Sequence, residues 1–190
     1  MNQAMSGAGL FLVQTIITLA TFAFLLRFIL QAVRADFYNP ISQGIVRVTD
    51  PVLRPLRRVI PPIGGLEISA LLLALLLQIA LTYVVYGAIS PVAALLVGAF
   101  QLLYIVLDLY FWALVLIVIL SWVAPGSRHP GAMLLHQITE PLLAPFRRLI
   151  PPIGGIDLSV MAVFLILVLI QNYLLPGIMF ELGLGRGAIG

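Results

Sequence analysis

Arginines and carboxylates, spaced alike in two stretches, are the side chains of this sequence best suited to chemistry. Arg47, Asp50, Arg54, Arg57 and Arg58 precede Glu67, while Glu140, Arg147 and Arg148 precede Asp157. A guanidinium is a rigid fork of donors that fits carboxylates and phosphates, so the chemistry these residues suit is ion pairing and anion binding. Beside an anionic membrane surface each arginine contributes about 1 kcal/mol. Arg47, Arg54, Arg57, Arg58, Arg147 and Arg148 are therefore the candidates for gripping lipid headgroups or a partner. Catalysis is not expected. The chain has no cysteine, its two histidines, His129 and His136, stand seven apart without a third, and no metal, cofactor or catalytic residue is expected. No nucleophile elbow, paired-histidine zinc helix or phosphate-binding glycine loop with lysine is present. Nucleic-acid binding would need a larger basic field interleaved with aromatics, and is not expected either.

The elements that must position these residues come as a repeat. Thr49 to Ser69 reads TDPVLRPLRRVIPPIGGLEIS, and ninety residues later Thr139 to Ser159 reads TEPLLAPFRRLIPPIGGIDLS, with thirteen of 21 positions identical and no gap. In each copy an acid and a proline (Asp50-Pro51, Glu140-Pro141) open the motif. A Pro-Pro-x-Gly-Gly corner (Pro61, Pro62, Gly64, Gly65; Pro151, Pro152, Gly154, Gly155) turns the chain into the next apolar run. The prolines forbid continued helix there and the glycines allow a tight turn. Glu67 and Asp157 then fall in the first turn of the following helix. There a carboxylate complements the dipole and can meet Arg57 or Arg58, or Arg147 or Arg148, across the corner.

Composition fixes the setting of that repeat. Of 190 residues 62% are hydrophobic and 9% charged, against about 25% charged in soluble domains. All ten basic residues are arginine. Long apolar runs predict an all-α membrane protein of four transmembrane helices. The first unit, 1–90, holds spans near 10–33 and 66–86 and an interfacial amphipathic helix near 41–60. The second, 91–180, holds spans near 100–122 and 156–175 and an interfacial helix near 131–150. A tail, 181–190, follows. The first apolar run lacks a basic leader and a cleavage site, so it is expected to be retained as a span. Pro51 and Pro55 predict a kinked pair of short helices, the second capped by Asp50. The third span is longer than needed and should tilt or break near Gly98. From Pro176 a mobile tail is expected. Two spans separate the arginine-bearing loops, so the positive-inside rule places both loops in the cytoplasm and both termini in the periplasm of a bacterial inner membrane. The two halves are then parallel repeats.

A few polar residues lie inside the apolar runs. Arg27, Gln31 and Arg34 share a helical face, as an interfacial anchor with Arg27 snorkelling, or as a polar stripe packed on the re-entering loop. Asp108 sits within the third run, where a central Asp costs about 2.5–3.5 kcal/mol, and is either a structural or a proton- or cation-binding carboxyl. Gln78, Thr82, Tyr83, Gln171, Asn172 and Tyr173 suit interhelical hydrogen bonds, an interfacial belt or a pore lining.

The repeated motif, with RADFYNPISQ before the first copy and SWVAPGSRHPGAMLLHQ before the second, resembles the YggT family of bacterial membrane proteins, whose unit is two spans flanking this loop. The resemblance implies a non-enzymatic role. Plastid relatives are associated with maturation of a b6-type cytochrome, and others with cell division, nucleoid and envelope organisation and osmotic-stress tolerance. With no cysteine and no paired intramembrane histidines, a haem role here would be that of an assembly partner. The expected function is that of a scaffold or assembly factor contacting anionic lipid and an unidentified membrane protein, with a homo-oligomer as a further partner state. A small oligomeric transport or channel component is the alternative.

Overall fold

The computed structural model describes residues 2–150 and 157–184, with side chains from residue 7 onward within them. Among these residues the chain is helical, with one isolated β-bridge between Ile63 and Leu66. The elements are α1 (Asn2–Ala32), α2 (Pro40–Leu56), α3 (Ile68–Tyr86), α4 (Pro91–Val123), α5 (Pro130–Leu149), α6 (Leu158–Leu169), a π-helical turn (Ile170–Leu174) and α7 (Leu175–Glu181). Four stretches are long and apolar enough to cross a membrane: Gly7–Ala32, Ile68–Tyr86, Pro91–Val123 and Leu158–Glu181. Phe11, Ile16, Leu19, Leu76, Trp112 and Leu165 are each about 60% exposed or more. Large apolar side chains face outward on these helices because the solvent around them is hydrocarbon. The chain is a multi-pass, all-α membrane protein.

The helices form two compact units. One comprises residues 1–28 and 45–103. Within it α3 presents Ala70, Ala74, Gln78 and Thr82, all buried, along one face. The small residues let neighbouring backbones approach, and the polar ones bridge them. Gln78 Nε2 donates to Thr21 Oγ1 of α1 at 3.1 Å, and Thr82 Oγ1 lies 3.4 Å from Gln101 Oε1 of α4. Of the two alternatives for the long third run, a tilt or a break near Gly98, the break is absent, since α4 is continuous from Pro91 to Val123. Gly98 is where α4 touches α3, since a Cβ there would stand 2.9 Å from Ile79 Cγ1 and 3.1 Å from the Ile79 amide nitrogen.

The other unit comprises residues 29–44 and 104–190. Here Phe111 of α4 meets Phe164 of α6 edge to face, with centroids 5.2 Å apart. The N-termini of α2 and α5 start alike. Asn39 Oδ1 accepts from Ile41 N at 2.9 Å, and His129 Nδ1 accepts from Gly131 N at 3.1 Å, each cap followed by a proline. The two starts are also joined. Asn39 Nδ2 donates to Pro130 O at 2.7 Å, and Asp36 N donates to Gln137 Oε1 at 2.9 Å.

Several expectations need correction. α2 is one helix beginning at Pro40 and capped by Asn39; Asp50 caps nothing. Pro51 and Pro55 lie within α2, and Pro141 and Pro145 within α5. Arg47, Pro51 and Pro55 form one exposed i, i+4 stripe. The carbonyls that lose an amide partner to the prolines therefore face the surroundings, where other donors are available. The buried stripe of α2 is Ser42, Thr49 and Leu53, while Val48 on α2 and Val59 beyond its end are 70% and 80% exposed. Helix continues past Pro176 to Glu181, with the proline in the first turn of α7. Arg34 has left α1 and does not share the Arg27 face. It has φ 54°, with Ala35 N bonded to Leu30 O and Arg34 N to Gln31 O. That is a Schellman ending with arginine where glycine is usual.

Gly98 supplies a test. Gly98→Val should destabilise by about 1–3 kcal/mol through overpacking against α3, read by thermal unfolding in detergent. Gly44→Ala, with nothing within 4 Å of the added carbon, should be neutral or stabilising.

Candidate functional site

Each repeat holds an arginine between two acids. In the first, Arg57 Nη2 donates to Asp50 Oδ1 of α2 at 2.8 Å and Arg57 Nε donates to Glu67 Oε1 at the start of α3. Arg27, reaching from α1, gives its Nε to Glu67 Oε2 at 3.0 Å, with its Nη2 3.9 Å from Asp50 Oδ1. Arg54 Nε lies 3.4 Å from Asp50 Oδ2. A single ionic cluster thus ties α1, α2 and α3 together. Arg27 is 7% and Glu67 1% exposed, so this arginine does not snorkel; it packs on the re-entering loop. The bond from Glu67, set partly against the loss of solvation, holds the Arg57 guanidinium above its ordinary pKa.

The turn that brings Glu67 back is tight. Ile63 and Leu66 exchange both backbone hydrogen bonds, at 3.1 and 3.0 Å, and Gly64 and Gly65 have φ of 61° and 82°. Positive φ at both central positions is the I′ geometry that side chains resist. Pro61 and Pro62 precede this turn. The equivalent corner of the second repeat, with Pro151, Pro152, Gly154 and Gly155, lies outside the described residues.

In the second repeat Arg147 Nη1 donates to Glu140 Oε2 at 2.6 Å and Arg147 Nε to Asp157 Oδ2 at 2.8 Å. Asp157 also caps α6, its Oδ1 accepting from Ser159 N at 3.0 Å and from Ser159 Oγ. Glu67 occupies the same position before α3 but makes no side-chain cap. Its extra methylene and its burial commit both oxygens to arginines. For Arg147, burial lowers the pKa but its bonds to Asp157 and Glu140 outweigh that, and the group ends above its ordinary value. Burial likewise acts to raise Asp157, yet the Ser159 and Arg147 bonds prevail and hold it below the usual carboxylate value.

Arg57 and Arg147, two of the six anion-binding candidates, are thus committed within the protein. Arg54 is exposed beside Asp50, and Arg47, Arg58 and Arg148 are exposed and enter none of the ion pairs found among the described residues. Pro51 and Pro141 are exposed within their helices.

Asp108 stands elsewhere, halfway along α4. It accepts from Gln171 Nε2 at 2.8 Å, and Tyr104 OH donates to Gln171 O at 3.1 Å. Gln171 belongs to the π-helical turn, an irregularity that often marks functional sites. The π-turn carries no sequence signal beyond the polar Gln171-Asn172-Tyr173 triplet inside an apolar run.

The two clamps coincide with a family signature that matches twice, over residues 6–88 and 96–178. The chain belongs to the CCB3/YggT family. An uncharacterized Pseudomonas aeruginosa protein is 49% identical over 172 residues, 86% of each chain. An uncharacterized Vibrio alginolyticus protein is 45% identical over 162 residues, 82% of this chain and 86% of the relative. The Escherichia coli K12 protein YggT is 40% identical over 184 residues, 90% of this chain and 97% of the relative. No solved structure gives a significant match.

The buried half of this family motif predicts an asymmetric response. Glu67→Gln removes the buried carboxylate that serves both Arg27 and Arg57 and should destabilise by about 3–5 kcal/mol, whereas replacing Arg27 and Glu67 together by methionine should recover most of that loss. Thermal unfolding in detergent reads both. The Asp157 carboxyl, held below its unfolded value of about 3.9, stabilises the fold above that pH. Its contribution disappears as pH falls through the folded value, so Asp157→Asn should flatten the acid limb of the unfolding curve.

Proposed function

We propose that this chain is a non-enzymatic scaffold or assembly factor of the bacterial inner membrane. It would serve machinery of envelope organisation, cell division or osmotic-stress tolerance. The observation that carries this reading is the division of labour among the arginines. Arg57 and Arg147 are each held between two acids, and Arg47, Arg58 and Arg148 are exposed with no ion pair found among the described residues. Exposed guanidiniums next in sequence to exposed, apolar Val48, Val59 and Leu149 fit an interface where headgroup phosphates meet hydrocarbon. Five arginines lie between Ala32 and Glu67 and none in the Gly87–Pro91 turn, which supports loops on the cytoplasmic side and termini in the periplasm. The combined variant Arg47→Ala/Arg58→Ala/Arg148→Ala should lower co-purified phosphatidylglycerol roughly tenfold or more, measured by lipid mass spectrometry. It should also reduce recovery of the partner from native membranes while insertion is unchanged. Full recovery of both at equal expression counts against the reading.

A transport component is the second reading, favoured by the Asp108, Gln171 and Tyr104 cluster at the π-turn. On that reading Asp108→Asn reduces ion flux through proteoliposomes and lowers osmotic tolerance of cells. Flux and tolerance that survive the substitution would sink it.

A further inference from the structure

Aligning the two clamps residue by residue exposes a deficit in the second. In the first, Asp50 and Glu67 are served by three guanidiniums, from Arg27, Arg54 and Arg57. In the second, Ile117 stands at the position of Arg27 and Ala144 at that of Arg54. Glu140 and Asp157 then share Arg147 alone among the described residues. Three arginines on two acids leave the first clamp one positive charge in excess; one arginine on two acids leaves the second one negative charge in excess. Exposure follows the same division. The side chains of Asp50 and Glu67 are 15% and 1% exposed, those of Glu140 and Asp157 53% and 33%.

The difference can be placed on one atom. In the first clamp Arg57 takes Asp50 Oδ1 and Arg54, one helical turn later, takes Oδ2. In the second, Arg147 takes Glu140 Oε2 and the residue one turn later is a methyl group. Oε1 of Glu140 enters no hydrogen bond or ion pair found among the described residues, and the Glu140 side chain is 53% exposed. Asp157 has no such vacancy, because Ser159 and Arg147 occupy both of its oxygens. Two carboxylates already bridged by an arginine are a poor nest for a divalent metal, which needs six or more oxygens around calcium or an octahedral set around magnesium. They match the group that the first repeat places there, a guanidinium or its smaller analogue, an ammonium.

We propose that Glu140, with Asp157 behind it, is a docking site for an arginine or lysine side chain on the juxtamembrane segment of a partner protein, which occupies the place Arg54 fills in the first repeat. This assigns the partner-facing side of the scaffold reading to the second repeat and rests on that reading. The anionic lipid is left to Arg47, Arg58 and Arg148.

The probe is a labelled Leu/Arg peptide amide, titrated at pH 8 onto the full chain in phosphatidylcholine nanodiscs, with empty nanodiscs and a Leu/Gln peptide as references. The intact chain should bind the arginine peptide above both references. Glu140→Gln should weaken binding at least fivefold. Ala144→Arg, which supplies the missing cation from within, should weaken it equally while unfolding no earlier than the parent chain. Equal binding by the parent and both variants would overturn the proposal, leaving Glu140 as a solvated acid. The combined Arg47, Arg58 and Arg148 variant should keep the peptide and lose the lipid, so failure here and failure of the lipid reading are separate results. In native membranes, a photo-crosslinker at position 144 should map to a segment carrying arginine or lysine; mapping to an uncharged segment would also count against the proposal.

Discussion

A guanidinium and a carboxylate removed from water are unfavourable guests unless each satisfies the other, and the Arg27–Glu67 pair is where this chain meets that condition most strictly. Glu67 is almost wholly buried at the end of a tight turn, and both its oxygens accept from arginines on different elements. Because each partner is intolerable alone in that place, the pair fixes where α1, the end of α2 and the start of α3 must meet. The Pro-Pro-Ile-Gly-Gly corner supplies the backbone path, and the ionic cluster supplies the reason for taking it.

One methylene separates the two repeats at this point. Glu67 reaches both Arg57 and Arg27 and forgoes capping α3, whereas the shorter Asp157 bonds Arg147 and turns its other oxygen to the first turn of α6. Each solution satisfies the carboxylate. The first buries it among three helices; the second leaves it partly open. The duplication therefore yields one pair of acids closed off from within and one that stays accessible.

Between the helices, where hydrocarbon offers no hydrophobic drive, the protein relies on close approach and hydrogen bonds. Gly98 against Ile79, Gln78 with Thr21 and the edge-to-face pair of Phe111 and Phe164 are of this kind. The π-turn around Gln171 serves a similar end, presenting an amide to Asp108 while its own carbonyl receives Tyr104.

The sequence by itself determined the class, the four apolar helices, the repeat and the meeting of Glu67 and Asp157 with an Arg-Arg pair across each corner. Each of these is written in local composition or in a fixed offset along the chain. That Arg57 and Arg147, not Arg58 and Arg148, make the bonds was decided by the structure. Tertiary structure decided what depends on side chains far apart in sequence. Arg27 lies forty residues from Glu67, and nothing local distinguishes a snorkelling arginine from one turned inward. Helix α2 keeps its prolines because they fall on an exposed stripe, which propensity cannot foresee without knowing which face is outside. Gly98 reads as a place for a long helix to tilt or break until Ile79 is beside it, and Pro176 reads as a stop although it sits in the first turn of a further helix. Apolar spacing marks α2 as two-faced without saying which residues the protein keeps, and the structure turns Ser42, Thr49 and Leu53 inward and Val48 outward. Periodicity reveals that a helix has two faces; the surrounding solvent and the neighbouring helices decide which one the protein keeps.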